Sequence, residues 1–241
     1  MRNAHGSSPH PSSGPSGHLL PQGEKEKGSA AEGPSAGAAP AALHPALPVS
    51  RETLDRLEAH RALLSQWASR INLIGPGELA HYWIRHALDS AQLILHAPEA
   101  RAWVDLGSGA GFPGLVVACC LAERPGAEVV LIEPNQKRAA FLREAIRATA
   151  APARVIAAKA EEAVGDLADC DAVTARALAS LARITELAHP ILSRGATGLF
   201  LKGADAEAEL AAARLHWPLE ASLAPSLSDP TGRIVRLKLQ R

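Results

Sequence analysis

A strand that runs straight into a cluster of glycines constrains this chain more than any other feature. Residues 102–106, Ala-Trp-Val-Asp-Leu, are a short apolar run with a carboxylate near its end, and Gly-Ser-Gly-Ala-Gly-Phe-Pro-Gly comes next at 107–114. Glycine accepts the positive φ that a tight turn needs, and without a Cβ it lets a ligand approach the main chain. Proline at 113 suits a first helical turn. Strand, glycine turn and helix in this order are the opening unit of a parallel α/β sheet. In such sheets ligands bind beyond the carboxyl ends of the strands, at the switch point of the strand order.

The later segments keep that alternation. EVVLIE (128–133), ARVIAA (153–158), CDAVTAR (170–176) and TGLFLKG (197–203) read as strands. NQKRAAFLREAIRAT (135–149) reads as a helix with Ala139, Leu142, Ala145 and Ile146 on one face, and LARITELAHPIL as a helix kinked or stopped near Pro190. GRIVRLKL (232–239) is a last strand with one wetter face. Two helices come before the sheet. Ser50 or Thr53 caps the first, which carries Leu54, Leu57, Leu64 and Trp67. Gly-Pro-Gly at 75–77 breaks the pattern, and the second helix carries Leu79, Trp83, Ala87 and Ser90 and ends before Pro98. Residues 1–45 are Gly, Ser, Pro and Ala with scattered charge and too few apolar side chains to offset ordering, so a disordered tail is expected there. The expected division is therefore a tail (1–45), a helical cap (46–99) and an α/β domain (100–241) with a mostly parallel sheet.

Charge and cysteine narrow the function. Lys plus Arg and Asp plus Glu both number 25, so the net charge is zero and bulk charge will not hold a nucleic acid; a local basic patch must. Cys119, Cys120 and Cys170 form no disulfide framework and no metal-ligand spacing, so no metal is expected and a reducing, cytoplasmic setting is. The N-terminal residues hold no apolar signal core, and no run is long enough to span a membrane.

The glycine turn admits two cofactors. A G-x-G-x-x-G dinucleotide register starting at Gly107 fails at Phe112. One starting at Gly109 fits Gly109, Gly111 and Gly114, but places Pro113, which has no N–H, where a helix N-terminus should meet a pyrophosphate. The other register, D-x-G-x-G-x-G over Asp105, Gly107, Gly109 and Gly111, is the form of S-adenosyl-L-methionine-dependent methyltransferases. There Asp105 is expected to receive the ammonium of the cofactor's amino-acid tail through water. Glu133, at the end of the second strand, is placed to accept ribose hydroxyls of either cofactor. A nicotinamide-dependent oxidoreductase stays open at this point.

Longer phrases are more specific. NLIGPGELAHYWIRHALDSAQL, VDLGSGAGFPGL, EPNQKRAAFLREA, AEE at 160–162, TARALASL and LFLKG, in this order, resemble the bacterial 16S ribosomal RNA guanine-N7 methyltransferases of the glucose-inhibited-division B type. The resemblance runs from about Leu54 to the C-terminus. It implies a class I methyltransferase fold, Rossmann-like with a mostly parallel seven-stranded sheet, an N-terminal helical cap and S-adenosyl-L-methionine as cofactor. It also implies that Gly107 and Phe112 line that cofactor, that Ala160 and Glu161 sit at its adenine, and that Arg176 faces the junction of cofactor and substrate. Glu133 stands where Asp is more usual, and Ile74 where Thr is.

Guanine N7 presents a lone pair on the major-groove edge and carries no proton, so its methylation needs alignment but no general base. The segment after the fourth strand fits that chemistry. It is TARALASL, not the Asn/Asp-Pro-Pro-aromatic loop of amine methyltransferases, and it holds no Pro-Cys nucleophile. Arg176 is the expected catalytic residue, donating to guanine O6, with Asp105 and Asp89 as carboxylates near a cationic product. Candidate RNA contacts are Arg85, His86, Lys137, Arg138, Arg143 and Lys202, and candidate base-stacking groups are Phe112, Trp83 and Tyr82, although Trp67 and Trp83 also read as core. His81, Arg85 and Asp89 fall at i, i+4 and i+8 and suit a surface salt bridge equally well. The expected partner is 16S ribosomal RNA within the 30S subunit or its precursor, met by a monomer. A catalytically silent ribosome-assembly factor is the remaining alternative.

Overall fold

The structure, a computed structural model, describes residues 40–68 and 70–240. The expected tail lies, over residues 1–39, outside the described residues.

Seven strands form one sheet: β1 Ala102–Leu106, β2 Glu128–Ile132, β3 Ala153–Ile156, β4 Ala172–Arg176, β5 Thr197–Lys202, β6 Leu219–Pro225 and β7 Arg233–Leu239. Their order is β3-β2-β1-β4-β5-β7-β6. The first five are parallel, with Val104 of β1 level with Val130 of β2 and Val173 of β4. β7 runs antiparallel between β5 and β6. Strands covered on both faces are mostly apolar, which is why β1, β2, β4 and β5 read as largely hydrophobic runs with polar residues at their ends or paired inside, as Asp105 is with Thr174. The order reverses between β1 and β4, so the crevice at their carboxyl ends is the switch point.

The helices are α1 Arg51–Ala68, α2 Asp89–Ala91, α3 Gly114–Leu121, α4 Gln136–Thr149, α5 Ala160–Ala163, α6 Leu181–Leu192 and α7 Ala206–Arg214. Ser50 caps α1: its Oγ accepts from the Thr53 N–H at 3.1 Å. Asn135 caps α4 by accepting from Lys137 and Arg138 N–H at 3.0 and 3.1 Å. α1 packs on α3 and α4, burying Leu54, Leu57 and Leu64; each such side chain stabilises by about 2 kcal/mol. Leu43 and Leu47 join the same cluster. The opposite face of the sheet is covered by α6 and α7 through Leu181, Ile184, Ala188, Ile191, Leu210 and Ala213.

α6 passes through Pro190 without stopping. The proline stands in the last turn, so only one intrahelical donor is lost, and Ser193 and Arg194 N–H close the end on His189 and Ile191 carbonyls. The second cap helix differs more from expectation. It begins as a 3-10 turn, Glu78–His81, becomes π-helical over Tyr82–Leu88, and passes through α2 to a second 3-10 stretch, Gln92–His96. Bonding to i+5 instead of i+4 changes which residues share a face. Arg85 therefore pairs with Glu78 at 3.1 Å, and Asp89 turns inward to Arg176, in place of the surface salt bridge that the spacing of His81, Arg85 and Asp89 also allowed.

Candidate active site

β1 leads into a turn whose glycines 107, 109 and 111 have φ of 72°, 55° and 93°. The Gly107 and Ser108 N–H groups both donate to the Ile132 carbonyl, at 2.9 and 3.0 Å. Glu133, 3% exposed, ties the turn to the start of α4: its Oε2 accepts from Gly109 N–H and its Oε1 from Asn135 N–H, both at 2.9 Å. Each carboxylate oxygen keeps a further lone pair, so a ribose diol still finds acceptors there. Beside the turn lies a cavity of about 240 Å³ whose walls include Gly107, Ile132, Ala160, Glu161 and Leu178. A Cβ on Gly107 would stand 2.8 Å from Leu178 Cδ1, so glycine keeps this wall open. Apolar Ile132, Ala160 and Leu178 give this cavity walls that suit a flat ring. Glu161 itself is paired with Arg183 at 2.5 Å on the rim.

Asp105 lies elsewhere than the motif suggests. Its side chain is fully buried beneath the turn, with Oδ2 accepting from Gly114 N–H at 3.1 Å and Oδ1 from Thr174 Oγ1 at 2.8 Å. It fixes α3 and β4 to β1 instead of facing the opening. The same contact bears on the dinucleotide register. Gly114 N–H is spent on Asp105 and Pro113 has none, so the start of α3 offers a pyrophosphate little. Gly114 has a packing role: a Cβ there would lie 2.5 Å from Asp105 Cβ and from Leu131 Cδ2.

On the other side of the turn, Arg176 at the end of β4 lines an open pocket of about 600 Å³ together with Glu78, His86, Asp89, Ser226 and Ser228. Its Nη1 donates to the Arg85 carbonyl at 2.9 Å and to Asp89 Oδ2 at 3.3 Å; its Nη2 donates to His86 Nδ1 at 3.0 Å. The guanidinium lies 4.9 Å from the Phe112 ring centre, on which His86 stacks at 4.7 Å. Because arginine only donates, His86 Nδ1 accepts and Nε2 carries the proton. Nε2 stands 3.3 Å from Glu78 Oε2, within ion-pair distance but without hydrogen-bond alignment. Burial first, then the charge of Arg176, lowers the His86 pKa to about 3, so the ring is neutral. Asp89 also accepts from Ser228 Oγ at 2.6 Å and Gln92 Nε2 at 3.1 Å.

The other expected contacts divide. Lys137 is exposed beside a polar cavity it shares with Arg70, Asn72 and Arg138; Arg138 also reaches the Asn72 carbonyl at 3.4 Å. Arg85 is exposed. Lys202 is held inside by the Ala179 carbonyl at 2.9 Å and Glu209 at 2.7 Å. Tyr82, Trp83 and Phe112 are all buried, so none presents a free face for a base. Cys119 is buried and its thiol is pushed up to about 12 by desolvation. Among the described residues no group of His, Cys, Asp and Glu is arranged to hold a metal ion, and no helix is long and apolar enough to cross a membrane. Sequence reasoning missed Thr174, Glu78 and, beneath the turn, His60; each looks like an ordinary strand, cap or helix residue until the fold brings it to the site.

Two buried groups give this site an acid–base signature. Desolvation raises Asp105 to about 6, opposed by hydrogen bonds from Ser108, Thr174 and Gly114. Desolvation lowers His60 to about 4. A raised carboxylate favours folding below its ordinary pKa and loses that contribution as pH rises through 6. A lowered histidine favours folding above 6.5 and loses that contribution as pH falls toward 4. The two oppose each other over one window, and His86 tips the balance toward acid instability. Asp105→Asn isolates the carboxylate, since an amide can accept from Gly114 and donate to Thr174. The Asn variant is expected to exceed the wild type in unfolding free energy by about 2 kcal/mol at pH 8 and to lose that advantage near pH 4. Urea titrations at the two pH values check this, and an equal difference at both would refute it.

A parallel sheet in this order with an antiparallel β7, a glycine turn after β1 and an acidic residue after β2 defines the class I methyltransferase architecture. Solved structures agree on the fold: an O-methyltransferase from Bacillus cereus in complex with SAH superposes with a TM-score of 0.53 at 14% identity, over 75% of this chain and 90% of that one. A MtNAS variant in complex with S-adenosylmethionine gives 0.53 at 15% identity over 79% and 78%. The family described as rRNA small subunit methyltransferase G, GidB, matches residues 53–229, and this chain belongs to it. Its relatives named ribosomal RNA small subunit methyltransferase G include one from Bradyrhizobium sp. strain BTAi1, 51% identical over 195 residues, covering 79% of this chain and 86% of the relative. Another, from Parvibaculum lavamentivorans strain DS-1, is 48% identical over 191 residues, 79% of this chain and 84% of the relative.

Proposed function

We propose that this chain, a cytoplasmic monomer, moves the methyl group of S-adenosyl-L-methionine to N7 of a guanine in 16S ribosomal RNA, presented within the small subunit or its precursor. The observation that carries the reading is the position of the glycine turn, with the cavity of Ile132, Ala160 and Leu178 on one side and the Arg176 pocket on the other. The cofactor brings an electrophilic methyl group on a positively charged sulfur. Glu133 accepts the ribose hydroxyls, and Ile132, Ala160 and Leu178 enclose the adenine. Gly107, Gly109 and Gly111 let the rest of the cofactor lie against the backbone.

The carboxylates that line the pocket are all engaged: Asp89 by Arg176 and Ser228, Glu78 by Arg85, and Asp229 by Thr231. His86 Nδ1 is occupied by Arg176 and its Nε2 already bears a proton; Asp105 is sealed below the turn. Guanine N7 attacks with a lone pair and needs no proton acceptor. Arg176 has N–H groups left after its contacts to Arg85, Asp89 and His86, and one of them suits guanine O6. Asp89 opposes the positive charge that methylation leaves on the base.

For the RNA backbone, α4 offers the better surface. Lys137, Arg143 and Arg147 are exposed along it, Arg70 lies close by, and none of the four is paired among the described residues. Lys202, bound to Glu209, drops out of this set. Replacing Arg143 and Arg147 together by glutamate is expected to weaken RNA binding about tenfold or more at low salt and to reduce the salt slope by roughly 2, with cofactor affinity unchanged. Filter binding across a salt series reads this, and an unchanged slope removes α4 from the interface.

The test of the function itself uses purified full-length protein, methyl-labelled cofactor and small subunits from a strain without this activity. Label is expected on N7 of one guanine of 16S RNA, mapped by cleavage at the modified base. Label on any other atom, or none on RNA, overturns the reading.

A further inference from the structure

One buried side chain joins the cap to the glycine turn. His60, on α1, has no exposed surface. Its Nε2 lies 2.9 Å from the carbonyl oxygen of Ala110, at the middle of the turn, and its Nδ1 lies 3.0 Å from Tyr82 Oη. The tyrosine hydroxyl is also 2.9 Å from the Leu57 carbonyl. The imidazole packs against Phe112, with ring centres 5.2 Å apart, and Phe112 in turn carries His86 and Arg176.

Donor accounting fixes the roles. A carbonyl accepts only, so the Ala110 bond requires the proton on Nε2. The neutral ring then leaves Nδ1 bare, and the single Tyr82 proton serves Nδ1 or Leu57. Every other bond that shapes the turn comes from the sheet side or the turn itself: Gly107 and Ser108 to Ile132, Gly109 to Glu133, and Gly111 and Phe112 back to Ser108. Among the described residues His60 is the one side chain from the cap that bonds to it. At Gly111 the fit is close, since a Cβ there would lie 3.3 Å from His60 Nε2. A segment with three glycines in five residues has little conformational preference of its own. Its shape must be imposed by such contacts, or the ordering cost returns when a ligand binds.

We propose that His60 is a positioning residue whose Nε2–H, donated to the Ala110 carbonyl, holds the glycine turn in its cofactor-binding shape and so makes docking of the helical cap a condition of cofactor affinity. The inference rests on the proposed function, in which the turn is the S-adenosyl-L-methionine site. It is specific about the atom: the donor is Nε2–H, which a glutamine amide can replace and a leucine of similar volume cannot.

The test is calorimetry of the full chain with S-adenosylhomocysteine, alongside steady-state methylation. Wild type is expected to bind; if it does not, the functional reading fails and this inference falls with it, whereas the variants below bear on the inference alone. His60→Leu is expected to weaken binding about tenfold and to raise the KM for cofactor by the same factor, with kcat at saturating cofactor within about threefold. His60→Gln is expected within about threefold of wild type on both measures. A folded Leu variant that binds as well as wild type overturns the proposal. So does a Gln variant no better than Leu, which would mean that packing alone matters. Should the Leu variant fail to fold, nitrogen-labelled histidine NMR on the wild type decides. The proposal requires the Nε2–H tautomer at His60 and a shift of that resonance on adding S-adenosylhomocysteine. The Nδ1–H tautomer, or a resonance indifferent to ligand, overturns it.

Discussion

Alanine at position 114 is expected to lower the unfolding free energy by about 4 kcal/mol and the melting temperature by roughly 10 °C. The added Cβ would lie 2.5 Å from Asp105 Cβ, 2.5 Å from Leu131 Cδ2 and 2.6 Å from Asp105 Oδ2. None of these atoms is a free end that can swing away. Asp105 is held by both oxygens, and Leu131 is fully buried in β2. The remaining way out is for α3 to lift from the sheet, and α3 is buried on nearly all sides beneath α1. Gly109→Ala is the control. Its nearest atom is the Gly107 carbonyl oxygen at 3.9 Å, so only its φ of 55° is penalised, by about 1 kcal/mol. Denaturant unfolding of both variants separates packing from backbone strain; equal losses would refute the packing argument.

That contrast shows what the primary structure could disclose. The strand, glycine turn and helix were legible because each has a local signature: an apolar run closed on both faces, residues permissive of positive φ, and a proline at a helix start. The parallel order and the acidic residue after β2 followed from the same grammar. Gly114 was legible as a glycine but not in its purpose, which depends on Asp105 and Leu131 arriving from two other elements. β6 escaped notice because it is a half-exposed edge strand whose alternation of Leu219, Ala221 and Leu223 with Glu220 and Ser222 is short and ends at Pro225. α7 passed unassigned in an alanine-rich stretch with few buried anchors. The π-helical Tyr82–Leu88 segment was invisible to a search for i+4 spacing, and with it the inward turn of Asp89 toward Arg176. His60 reads in sequence as one polar residue on the apolar face of α1, between Leu57 and Leu64. Nothing local distinguishes a histidine that bonds the glycine turn from one merely satisfied in a core.

The largest effect on turnover is expected at Arg176. Arg176→Lys and Arg176→Leu should both lower kcat/KM by about 100-fold or more while leaving S-adenosylhomocysteine affinity within about threefold. Lysine keeps the charge but not the shape. The guanidinium spans two directions at once, with Nη1 toward Asp89 and the Arg85 carbonyl, Nη2 toward His86, and its carbon over the Phe112 ring. An ammonium is a compact charge that can satisfy one of these partners and cannot lie flat on an aromatic ring. Burial pulls the Arg176 pKa down, and the charge of Asp89 opposes that pull. Removing the arginine leaves Asp89 facing the pocket without its cation, although Ser228 and Gln92 still bond to its other oxygen. Asp89→Asn, which keeps those neighbours and relaxes the hold on Arg176, should cost about tenfold. The order of the variants carries the argument: a planar donor aimed at a guanine edge predicts Lys close to Leu and both far below Asn. If Lys instead restores a third or more of wild-type turnover, Arg176 acts through charge alone, and the selection of guanine must come from another residue lining the pocket.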